Sequence, residues 1–179
     1  MKKVLLIVLG IGAGLIAIVF VVGFFLPETY TAQVQFNIAR PPEEVWAAVA
    51  DYQKNPLGGA MRKGTQPLPN VNGLPAWTED LGDTRLRIET REATPPNFVR
   101  RYVKDEMVSM DGHWEIRIEP AGGGSRVTAS NEIHVRTGTW HAPIFRVMLS
   151  MVNGARRGLE EYSTHLAAGF GEKPEFAAR

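Results

Sequence analysis

Four histidines, His113, His134, His141 and His165, are the first side chains in this sequence to suggest chemistry. None has the spacing of a metal pair on one helix, such as His-x-x-x-His. His113 and His134 alternate with charged residues, opposite Trp114 and Ile133, and read as exposed. Glu79 and Asp80, close to Trp77, could supply a carboxylate for acid/base work. Neighbouring strand residues point to opposite faces, so the two are not a cooperating pair, and each alone reads as solvated. No serine sits in a nucleophile-elbow context. The absence of cysteine removes thiol chemistry, disulfides and Cys-ligated zinc. Asn131 is more unusual, because it shares an apolar face with Val127, Ala129, Ile133 and Val135. A buried amide needs partners; it would either bind backbone at an irregular step of a sheet or orient the polar end of a ligand. Nothing among these residues calls for a metal or another cofactor.

Charge excludes one further class. Lys and Arg number 20 against 19 Asp and Glu, so there is no basic surplus to neutralise a phosphate backbone, and nucleic acid is not an expected partner. Arg85, Arg87, Arg91, Arg100, Arg101 and Lys104 are interleaved with Glu89, Glu92, Asp105 and Glu106, the pattern of a solvated, salt-bridged face. A surface held against anionic headgroups is the alternative reading.

The elements that would position these residues begin at residues 30–38, where Ala32, Val34, Phe36 and Ile38 alternate with polar side chains as in a half-buried antiparallel strand. Pro41 and Pro42 end it, since proline suits a first helical turn far better than a strand interior. Glu43 and Glu44 favour the positive end of the helix that follows, and Val45, Trp46 and Val49 form its apolar stripe. Asn55-Pro56 and Gly58-Gly59 close a short helix pair. Further strands are expected at residues 60–66, 76–81, 84–93, 98–107, 112–119 and 126–136, the last two joined by a glycine-rich hairpin turn. A helix over residues 143–168 carries Ile144, Met148, Met151, Ala155, Leu159, Tyr162 and Leu166 at spacings of three and four. Gly169 and Gly171 stop it, and residues 172–179 read as a loose tail.

Ahead of all this, residues 4–26 contain no charged side chain. As a helix they would rise about 34 Å, enough to cover a hydrocarbon core of about 30 Å. The run is too long for a signal peptide and lacks its small-x-small cleavage site. The expectation is a single-pass anchor over residues 1–27, one domain over 28–171 and a tail over 172–179. Lys2 and Lys3 place the N-terminus in the cytoplasm and the domain outside it, periplasmic or extracellular. Gly10 and Gly14 leave open a weak anchor dimer, although glycine is frequent in membrane helices without one.

The stretch IARPPEEVWAAVADYQKNP, followed by antiparallel strands and a long amphipathic helix, resembles the SRPBCC, or START-like, superfamily, whose members include polyketide cyclase/dehydrase and lipid-transport-like proteins. The resemblance covers about residues 31–170. It implies an α+β helix-grip fold in which a bent antiparallel sheet holds the C-terminal helix around an apolar cavity. Its lining would draw on Val34, Phe36, Trp77, Trp114, Ile116, Asn131, Ile133, Met148, Met151, Val152, Ala155 and Leu159; the same residues could equally fill an ordinary core. Where relatives often carry an aromatic after the proline of the second short helix, this chain has Leu57-Gly58-Gly59. The leading functional expectation is non-catalytic binding of an apolar small molecule or lipid. A cyclase/dehydratase-like enzyme using one cavity carboxylate or histidine is the first alternative, and an envelope interaction module with a filled core is the second.

Overall fold

A computed structural model describes residues 2–105, 107 and 109–176. Side chains at positions 2, 5–8 and 60 lie outside that description, as do Glu106 of the expected charged face and residues 177–179 of the expected tail.

Helix α1 (Lys2–Phe25) opens the chain. Among the described residues no helix is long and apolar enough to cross a membrane; the unbroken run of described side chains in α1 is residues 9–25. A Cβ on Gly10 or Gly14 would meet nothing within 4 Å. Strand β1 (Thr29–Ile38) follows, with Val34, Phe36 and Ile38 buried as the alternation requires. At the double proline the chain turns into α2 (Pro42–Ala50). The Pro41 carbonyl accepts from the backbone N–H groups of Glu44 and Val45, at 3.1 and 3.2 Å, which closes the first helical turn. Val45 and Val49 are the buried face of α2. Of the expected short helix pair, only α2 precedes the punctuation at residues 55–59; the other short helical element, a single 3-10 turn at Gly59–Met61, occupies the start of the strand expected at 60–66.

Six more strands complete the sheet: β2 (Gly64–Val71), β3 (Leu74–Asp80), β4 (Arg85–Thr94), β5 (Phe98–Asp105), β6 (Met110–Ala121) and β7 (Gly124–Val135). Every pairing is antiparallel, in the order β1-β7-β6-β5-β4-β3-β2. The first expected strand, at 60–66, begins later and extends through Pro67 and Pro69. That is tolerable because β2 is an edge strand, where a proline need not donate to a neighbour.

The expected helix over 143–168 is two helices, α3 (Ala142–Met151) and α4 (Gly154–Ala168). Asn153 lies in the left-handed region at φ 50° and ψ 50°, which redirects the chain between them. The break separates the apolar stripe into two surfaces. On α4, Ala155, Leu159, Tyr162 and Leu166 are buried against the inner face of the sheet, with Phe36, Ile116, Ile118, Val127 and Ala129 opposite. On α3, Met148, Met151 and Val152 at its C-terminal cap are exposed. The tail is partly packed: Glu172 accepts from the Ala39 N–H at 3.0 Å, and Phe176 meets Phe36 edge-on at 6.0 Å.

Candidate functional site

Period-two alternation in β3 sends both Trp77 and Glu79 into the core. Glu79 is wholly buried, contrary to the solvated position expected of it. Its Oε1 accepts from the Leu57 N–H at 3.0 Å and the Trp77 Nε1–H at 2.9 Å, and its Oε2 accepts from the Gly58 N–H at 2.7 Å. Three donors on one carboxylate offset part of the cost of taking it out of water. Gly58 is needed for this, because a Cβ there would lie 2.5 Å from Leu81 Cδ2 and 3.1 Å from Glu79 Oε2. The missing side chain at Gly58 thus lets the loop settle onto a buried anion.

Strand β5 contributes a buried cation to the same core. Val99, Arg101 and Val103 share one face, so Arg101 points inward and is only 3% exposed, not part of the solvated arginine surface. Its Nη2 donates to the Val49 carbonyl at the end of α2, at 2.5 Å. The guanidinium lies over the Trp77 ring, 5.2 Å from the centroid, and that ring stacks on Tyr52 at 4.2 Å. The Tyr162 hydroxyl, from α4, faces the guanidinium, which acts on it through its charge and through a side-chain hydrogen bond. Burial pushes the Tyr162 hydroxyl up; Arg101 opposes the rise and Glu79 adds to it.

Two small apolar spaces adjoin this group. One, of about 100 Å³, is lined by Trp46, Val49, Tyr52, Trp77, Val99 and Arg101 among others. The other, of about 110 Å³, is lined by Leu57, Leu86, Val103, Gly112, Trp114 and Ile133, and also by Asp105 and Asp111. A wider depression, about 700 Å³, is an open trough with Gln33, Arg100, His113, Glu115 and Arg156 on its walls. Its charged, open character makes it a poor site for an apolar molecule. Most of the other arginines do form the expected salt-bridged surface: Arg87 and Arg91 pair with Glu89, and Arg100 pairs with Glu92 and Glu115.

With this geometry in place, similarity to known proteins can be stated. The sequence model of the family described as polyketide cyclase / dehydrase and lipid transport matches residues 29–167. The chain belongs to that family. No curated protein matches the sequence. Among solved structures, the family's fold is shared with the Zhui aromatase/cyclase from Streptomyces sp. R1128, at 13% identity and TM-score 0.64, covering 79% of this chain and 93% of that one. A START superfamily protein from Mycobacterium smegmatis aligns at 13% identity and TM-score 0.57, over 80% of this chain and 97% of that one. DynU16, a protein in the dynemicin biosynthetic locus, aligns at 18% identity and TM-score 0.56; 83% of this chain matches, but it spans only 49% of DynU16. At such identities the shared property is the α+β fold, with its seven-stranded antiparallel sheet and C-terminal helices.

For this polyketide cyclase / dehydrase and lipid transport family member, the residues expected to line a cavity divide into three groups. Trp77, Trp114 and Ile133 border the two apolar spaces. Val34, Phe36, Ile116, Ala155 and Leu159 are buried but fill the core between sheet and α4. Met148, Met151 and Val152 are on the outside of the domain, because the turn at Asn153 takes α3 off the α4 axis. Asn131 donates to the Ala155 carbonyl at 2.8 Å, tying β7 to α4, while its Oδ1 has no partner. The histidines serve locally: His134 contacts Thr29 and Glu132, His165 meets the Lys54 carbonyl at 3.0 Å, and His113 lies beside Tyr102. Among the described residues, no three His, Asp or Glu side chains are grouped as metal ligands.

Sequence reasoning missed Glu79 and Arg101 as buried groups. The signal was there: Trp77 and Glu79 are two apart, as are Val99, Arg101 and Val103, so each charge shares a face with an apolar strand residue.

Proposed function

We propose that this protein is a membrane-anchored START-like domain that binds an apolar small molecule or lipid with an acidic or carbonyl end, without catalysing its conversion. The observation that carries the reading is Arg101. A guanidinium this buried, met within the protein only by the Val49 carbonyl, the Tyr162 hydroxyl and the face of Trp77, keeps donor capacity that a ligand oxygen can use. The space it borders is otherwise apolar, which suits a molecule with one polar end. At about 100 Å³ the space is smaller than the ~300–1,000 Å³ of drug-sized sites, so the occupant widens it on entering. Half-buried Trp46 and Tyr52 are the side chains that yield.

Catalysis by a lone cavity carboxylate is less well supported, because both oxygens of Glu79 are already engaged by N–H donors. Anchoring is supported by α1, whose uncharged sequence from Val4 onward is helical to Phe25. By the positive-inside bias of Lys2 and Lys3, the domain is extracytoplasmic.

Native mass spectrometry of the full chain released from detergent micelles tests the ligand assignment. A long-chain fatty acid should bind in preference to the alkanol of equal length, and Arg101→Met should abolish the preference. Equal binding of acid and alcohol by the wild-type chain, or no binding of either, overturns the proposal.

A further inference from the structure

Helix α3 and the turn leading into it expose large apolar side chains. Trp140, just before it, is 74% exposed, Met148 49%, Met151 81%, and Val152 at its C-terminal cap 47%. Outside α1, the only other exposed large apolar side chains among the described residues are Met61 and Met107. A patch of this kind on a folded domain marks an interaction surface. The charge that α3 does carry is turned away from that patch: Arg146 is buried, donating to the Val135 carbonyl at 3.0 and 2.9 Å and to Glu28 at 2.6 Å.

The packing of α1 identifies what covers it. Gly23 of α1 meets Pro143 of α3 so closely that a Cβ there would be 2.2 Å from the Pro143 carbonyl oxygen. One turn earlier, Phe20 stacks on Trp140 with ring centroids 6.4 Å apart. Phe20 lies six residues before Leu26, where the apolar run ends, a distance of about 9 Å along a helix. A span of about 30 Å of hydrocarbon that uses α1 therefore carries Trp140 below the level at which the chain leaves the apolar layer. That is the depth, roughly 5–10 Å into the headgroup and acyl boundary, to which an interfacial helix buries its apolar face.

We infer that α3 lies in the outer interfacial layer of the bilayer beside α1, so that lipid is the partner of Trp140, Met148, Met151 and Val152. This rests on the reading of α1 as a membrane anchor. The helix then behaves as an interfacial element with its apolar face in the acyl boundary.

The absence of cysteine lets single nitroxide labels be placed without background. Ile18→Cys in α1, Met151→Cys in α3 and Asn70→Cys in the exposed edge strand β2 would each be labelled in the full chain. The chains would be reconstituted into vesicles of phosphatidylcholine and phosphatidylglycerol. Relaxation by oxygen and by a water-soluble nickel chelate then reports depth. Labels at 18 and 151 should both be relaxed by oxygen and lose relaxation by nickel, while the label at 70 shows the reverse. Nickel relaxation at 151 equal to that at 70, with 18 still protected, overturns the seating of α3 and leaves the anchor standing. Nickel relaxation at 18 as well overturns the anchor and this inference together. Dipolar broadening between labels at 151 assigns the face to a second copy and likewise overturns it.

Discussion

Replacing Glu79 by glutamine changes one atom of a buried carboxylate that three N–H groups hold. Glutamine keeps one carbonyl oxygen, and the better placement for it is the Oε1 site, which serves both the Leu57 N–H and the Trp77 Nε1–H. The amide NH₂ then faces the Gly58 N–H, donor against donor, where Oε2 accepted at 2.7 Å. A buried donor left without an acceptor costs about 1–3 kcal/mol. The expected loss for Glu79→Gln is therefore about 1–3 kcal/mol, less whatever is recovered by no longer burying a charge. Glu79→Ala orphans all three donors, each costing about 1–3 kcal/mol where it stays buried, so its expected loss exceeds that of the glutamine variant. Urea melts of the full chain in detergent micelles, with the slope unchanged and the midpoint lowered, would measure both. If Glu79→Gln and Glu79→Ala both fall within about 0.5 kcal/mol of the wild type, the carboxylate does not organise the loop and the reasoning fails.

Gly58→Ala should cost about 1–3 kcal/mol in the same melts, since its methyl group would enter the space held by Leu81 and Glu79; a neutral result would mean the loop approaches less closely. Asn153→Gly should be neutral or stabilising by up to about 1 kcal/mol, whereas Asn153→Val should lose about 1–2 kcal/mol, because only the latter resists φ 50°. Trp46→Ala, at the half-buried wall of the first space, should cost no more than the low end of the about 3–5 kcal/mol for a buried tryptophan, with fatty-acid binding altered. Hydrogen bonds from Thr137 and then Arg146 hold the Glu28 carboxyl below its ordinary value of 4.5. The folded protein thus takes up that proton less readily than the unfolded chain, so the contribution is complete above about pH 4.5 and lost as pH falls through the lower folded value. Amide exchange at Val135, which donates to the Glu28 carbonyl, should accelerate in that acid window, and Glu28→Gln should remove the step. Identical acid profiles for the two proteins would refute it.

Where periodicity and punctuation act locally, the sequence was legible. Pro41-Pro42 marked the corner, alternation placed Ile116 and Ala129 on the same inner face, and their pairing in the register confirms it. The break at Asn153 was hidden because the three-and-four spacing runs on from Met151 to Ala155 across it. A pattern counts residues along an axis and cannot register that the axis has turned, so Met148 and Met151 were assigned to the same surface as Leu159. Arg101 and Glu79 were hidden for a different reason. Residue type argued for solvent while position argued for the core, and the donors that make burial tolerable come from Leu57, Gly58 and Val49, far away in the chain.

The junction between α1 and β1 limits how the domain operates. Only residues 26–28 separate the two elements, and the last of them is fixed by the Arg146 and Thr137 side chains and by the Val135 N–H. A flexible tether sweeps a radius that grows with the square root of its length, and here there is scarcely any length to sweep with. If α1 spans the bilayer, the domain searches in two dimensions at one fixed height and tilt. It would meet molecules that diffuse laterally to its base, and anything bound could reach a second membrane only by being handed to a separate carrier.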